Sequence, residues 1–85
     1  MTVTTEDRAE ALFVSCLQGS QKYTPEQIRT AVADMLSRLG RDGCAGLVAQ
    51  EYGEHPREAM RRMHWVLTEM GSAFPDGARE HADAP

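Results

Sequence analysis

Apolar residues along the chain fall into four groups at helical spacing, each bounded by residues that start or stop a helix. Ala9, Leu12, Phe13, Cys16 and Leu17 recur at helical spacing, which places them on one stripe of a helix. Thr4 or Thr5 can accept from an unpaired backbone amide at its start, and Glu6 and Asp7 suit the positive end of its dipole. Gly19 and Ser20 end it, so the predicted span is about 5–18.

The second group has the clearest start. In Thr24-Pro25-Glu26-Gln27, Thr24 can cap, Pro25 loses no hydrogen bond at the first helical position, and Gln27 can bond back to the cap. Ile28, Val32, Met35, Leu36 and Leu39 continue the pattern, and Gly40 supplies a left-handed stop, giving about 25–39. A third, shorter helix of about 43–52 starts at Asp42, contains Cys44, Leu47, Val48 and Tyr52, and stops at Gly53. The fourth, about 56–70, gathers Ala59, Met60, Met63, Val66, Leu67 and Met70 on one side and stops at Gly71. No stretch alternates with period two.

These elements predict an all-α fold: one small four-helix domain over residues 1–74, its last two helices forming a helix-turn-helix-like pair. Phe74 is the expected last core contact, and a flexible, disordered acidic tail is expected over 75–85. Eighty-five residues suffice for one hydrophobic core and leave little room for a deep catalytic cleft.

Charge sharpens this picture. The net charge is −4, which argues against indiscriminate polyanion binding. Both ends are acidic, whereas Arg57 to His64 holds three arginines and one glutamate. Cys16 and Cys44 both fall at apolar helix positions, without a CxxC pair, and read as reduced core thiols. No apolar run approaches the roughly 20 residues of a membrane span, and the acidic amino terminus is unlike a secretion signal. A cytoplasmic protein with no membrane contact is expected.

The histidines lack ligand spacing and the chain lacks a nucleophile–base pair or a phosphate loop, so neither a metal, a cofactor nor an enzymatic activity is expected. The methionines at Met35, Met60, Met63 and Met70 read as adaptable core, the alternative being an open groove suited to an amphipathic partner helix.

Candidate chemistry concentrates on the fourth helix. At about 100° per residue, Arg57, Arg61, Trp65 and Thr68 lie opposite the apolar arc, flanked by Glu58, Arg62 and His64. Trp65 points away from the core, and Arg61, one turn earlier, is placed to stack on its indole. Such a tryptophan either is covered by another segment, the tail or the first helix, or anchors a partner.

VAQEYGEHPREAMRRMHWVL, Val48 to Leu67, resembles the helix-turn-helix of sigma-factor region 4 and related bacterial transcription regulators. Val48, Ala49, Tyr52 and Gly53 match the first helix and turn, Pro56 the start of the recognition helix, and Ala59 and Met63 its inward positions. Glu54 and Trp65 depart from the pattern. The resemblance implies a DNA-binding regulator that presents Arg57, Glu58, Arg61 and Arg62 to DNA, where arginine pairs with guanine or phosphate. A homodimer would multiply the few phosphate contacts of one short helix, and Leu12 and Phe13 suit a dimer interface as well as a core. The residues equally fit a protein–protein interaction module that binds a partner, such as a transcription factor, through Arg61 and Trp65.

Overall fold

The computed structural model describes residues 2–75 and is all-helical over them. Three helices follow in order: α1, Thr5–Val14; α2, Pro25–Glu54; and α3, Pro56–Ala73. The predicted capping box of α2 forms, and the start of α1 turns out to have one as well. Thr4 Oγ1 accepts from the Asp7 amide at 3.1 Å while Asp7 Oδ2 accepts from the Thr4 amide at 3.0 Å. Thr24 and Gln27 make the same reciprocal pair, at 3.1 and 2.8 Å.

The boundaries differ from the sequence expectation in four places. First, α1 ends at Val14, not near residue 18. Ser15 is extended (φ −70°, ψ 168°), and its hydroxyl donates to the Leu12 carbonyl and accepts from the Leu17 amide. Cys16 is thereby left beyond the helix and exposed, while Cys44 is buried as expected.

Second, the expected gap between the second and third helices shrinks to one residue. Gly40 alone has non-helical torsions inside α2, with φ 69° and ψ 167°, a combination open essentially to glycine. The predicted stop is real, but residues 41–54 resume the helix at once. Across this break the Cys44 thiol points to the Met35 carbonyl at 3.8 Å, and burial, then Glu10 and Asp7, push its pKa up.

Third, Gly53 makes no turn. It lies inside α2, and Gly40 is the one positive-φ residue among those described. The join to α3 is His55 alone (φ −138°, ψ 66°), whose amide donates to the Glu51 carbonyl and whose carbonyl accepts from the Ala59 amide. Fourth, Gly71 does not stop the last helix, which runs to Ala73. There Arg29 Nη1 donates to the Ala73 carbonyl at 3.2 Å, satisfying an acceptor left over at the helix end.

The core joins all three helices around Leu12, Phe13, Ile28, Val32 and Val66. Helix α3 presents to it the small residues Ala59, Val66 and Ala73, seven apart, with Met70 beside them. Only Ala59, Val66, Met70 and Ala73 of α3 are buried, so the covered arc is narrow. Met60 and Leu67, predicted to face inward, fall outside it and are 64% and 58% exposed. Leu39, also predicted to be core, is 39% exposed. Phe74 packs partly buried against the core, under the Arg8 guanidinium 4.8 Å from its ring centre. Apart from Pro75, the expected tail lies outside the described residues.

Candidate functional site

The five residues singled out on α3 separate into two groups that face different ways. Arg62 and Trp65 turn towards the rest of the molecule, whereas Arg57, Glu58 and Arg61 stay exposed.

Arg62 is half-buried over the end of α1. Its Nε donates to the Phe13 carbonyl at 3.0 Å, Nη1 to the Leu17 carbonyl at 2.6 Å, and Nη2 to the Ser15 carbonyl at 3.0 Å, with the Leu12 carbonyl at 3.5 Å. The last carbonyls of a helix have no intrahelical donors and carry its negative pole. A guanidinium, with five donors in a planar fork, fits that cluster better than any other side chain. Burial lowers the pKa of Arg62, with Tyr23 and Cys16 acting in the opposite sense. The side chain is thus occupied within the fold, which corrects the expectation that it faces outward with its neighbours.

Trp65 is also partly buried, so the outward position expected for it is corrected as well. Among the described residues, the loop between α1 and α2 lies against it. A side-chain carbon at Gly19 would sit 3.3 Å from the indole Cγ, tighter than ordinary contact, so a glycine suits this close approach of the loop. The Tyr23 ring meets the indole edge-on, centroids 6.4 Å apart, and its hydroxyl accepts from the Gln18 amide and donates to Gln21 Oε1. The cation stacked on the indole is Arg62, 4.7 Å from the ring centre, not Arg61.

Glu58 helps line a groove of about 430 Å³ together with Phe13, Val14, Leu47 and Arg62. On the opposite flank of α3 lies the surface that pattern reading assigned to the core. Met60 and Leu67 are two turns apart on one line, about 10 Å along the axis, with half-buried Met63 between them. Arg57, Arg61 and His64 edge this line on its solvent side. Neither Arg57 nor Arg61 has an ion pair or hydrogen-bonded side-chain partner among the described residues. The wheel held one signal for this surface: Ala59, Val66 and Ala73 mark the line of closest approach, and Met60 lies about 100° from its Ala59 end.

Among the described residues no group of three or more His, Cys, Asp or Glu side chains gathers as a metal site. No helix there is long and apolar enough to cross a membrane. Comparison with protein-family models, curated proteins and solved structures finds no match.

Proposed function

We propose that the chain is a non-enzymatic helical interaction module that docks a protein partner on the outer flank of α3, through Arg57, Met60, Arg61 and Leu67. The observation that carries this reading is the coincidence of two large exposed apolar side chains with two arginines that have no partner among the described residues, on one helix flank. Exposed apolar side chains rimmed by polar ones mark interaction surfaces, and arginine is over-represented among interface anchors. Arg62 and Trp65 serve the module indirectly, by fixing α3 against α1 and its loop.

The DNA-reading alternative retains one supporting observation, the exposure of Arg57 and Arg61 in the first two turns of a helix that follows a sharp join. Against it, a helix-turn-helix uses a turn of three or four residues, and the join here is His55 alone. The arginine set is also one short, since Arg62 is engaged with carbonyls.

Two measurements separate the readings. A partner captured by the intact chain is expected to be lost with Met60→Ser and Leu67→Ser combined while far-UV circular dichroism is unchanged; a partner retained by that variant sinks the protein reading. In a gel-shift salt series, duplex DNA bound at low salt and released by Arg57→Ala with Arg61→Ala would establish the DNA reading instead.

A further inference from the structure

Building on that docking surface, we infer that its occupant is the apolar face of an acidic amphipathic helix. Two features of α3 point to this chemistry.

The apolar line is straight and two turns long, Met60 to Leu67 with Met63 between them. A partner helix with apolar residues at i, i+3 or i+4, and i+7 matches such a line. The flanks of that line are unequal. One side passes through Met63 into the core, and the other carries Arg57, Arg61 and His64. A complementary helix therefore bears carboxylates along the edge that meets these three residues, which fixes its orientation as well as its charge.

A second copy of this chain fits less well. A two-fold axis near Met63 and His64 would set Met60 of one copy against Leu67 of the other. It would also bring Arg61 of both copies together about the axis, and like charges there oppose association. A phosphate backbone answers the arginines but offers nothing to Met60 and Leu67. The patch is small beside the roughly 800 Å² per partner of a standard interface, so the complex belongs to the weak, exchanging class.

The test uses the full chain and three synthetic helical peptides of roughly 15 residues, about four turns. Each carries leucines at helical spacing; the flanking positions are glutamate in one, glutamine in the second and lysine in the third. Affinity is read by fluorescence anisotropy and the contact site by amide chemical-shift perturbation. The glutamate peptide is expected to bind at least tenfold tighter than the glutamine peptide, and the lysine peptide weakest, with shifts centred on Met60 and Leu67. Arg57→Glu with Arg61→Glu is expected to reverse the order of the peptides, a result that loss of folding cannot produce.

Equal binding of all three peptides at Met60 and Leu67 overturns the acidic partner and leaves the docking surface standing. Absence of peptide binding together with a dimer in sedimentation that Met60→Ser dissociates assigns the surface to a second copy and also overturns it. Absence of peptide binding by a monomeric chain, or a shift of duplex DNA that depends on Arg57 and Arg61, overturns both the inference and the docking surface beneath it.

Discussion

Arg61 and Arg62 are adjacent in sequence and identical in chemistry, yet one is exposed without a partner among the described residues and the other spans the end of another helix. The step between them is 100° of helical rotation. Arg62 lies on the flank that meets α1 and its loop, where the carbonyls of Phe13, at the end of α1, and of Ser15 and Leu17, just beyond it, accept from its guanidinium. Arg61 lies on the flank that meets solvent. A basic cluster therefore says little about binding until each member's rotation is known relative to what covers its helix. The same rotation divides the large apolar residues of α3, burying Val66 and exposing Leu67.

The closed flank should respond to substitution through stability, and the open flank through partner binding alone. The largest effect is expected from Arg62→Ala, which leaves several carbonyls at the end of α1 without donors. A loss of about 2–3 kcal/mol is expected from bonds of this charged type, read as a lowered denaturant midpoint. Arg62→Lys, which keeps the charge but not the fork, should recover only part of it.

Trp65→Ala should cost about 1–2 kcal/mol, consistent with a half-buried indole. Intrinsic fluorescence checks the premise: the parent emission should lie to the blue of a fully exposed tryptophan and move red on unfolding. A parent spectrum already like that of free tryptophan would place Trp65 on the open flank after all. Gly19→Ala should follow, at about 0.5–1 kcal/mol, because the added carbon presses on the indole in a loop able to yield by a few tenths of an ångström.

Glu10→Gln tests the covered side of α1 through pH. Burial, then Asp7 and Glu6, hold the carboxyl of Glu10 above the ordinary carboxylate value. The folded state therefore binds this proton more tightly than the unfolded chain. The stability that comes with it is complete below the unfolded pKa and is lost as pH rises through the folded one. Glu10→Gln should accordingly be slightly more stable than the parent at neutral pH and indistinguishable from it in acid, by thermal melts across that range. The smallest effect belongs to the open flank: Arg57→Ala and Arg61→Ala should each change stability by no more than about 0.5 kcal/mol. A clear loss from Arg61→Ala would erase the contrast between the two neighbours.

Local signals in the sequence were legible wherever a short segment decides the outcome. Thr24-Pro25-Glu26-Gln27 forms the capping box it predicts, since cap, proline and reciprocal amide lie within one turn. Gly40 breaks α2 because the torsions needed there are a property of the residue itself. Gly53 and Gly71 carried the same stop signal and remain helical, because a glycine permits a stop without imposing one. The end of α1 was misplaced for the opposite reason. Its local pattern runs on through Cys16 and Leu17, and the termination involves Arg62, more than forty residues away.

The candidate surface shows the same division. Periodicity identified α3 as amphipathic and placed Arg57 and Arg61 on its outer side, as found. It assigned Met60 and Leu67 inward because a moment averages over an arc and does not report how much of that arc other helices cover. It left Trp65 facing outward because nothing in its own helix reveals that a loop approaches through Gly19 and Tyr23.

By itself, then, the sequence determined what depends on neighbours within a turn or two: helical class, the starts of α1 and α2, the glycine break, and a basic, amphipathic final helix. Tertiary structure decided which side of that helix remains available. Coverage depends on the closeness of Ala59, Val66 and Ala73 to the core, on the carbonyls exposed where α1 stops, and on the path of the loop past Trp65. These are contacts between segments far apart in the chain, and their energies carry no imprint in the local periodicity of either segment.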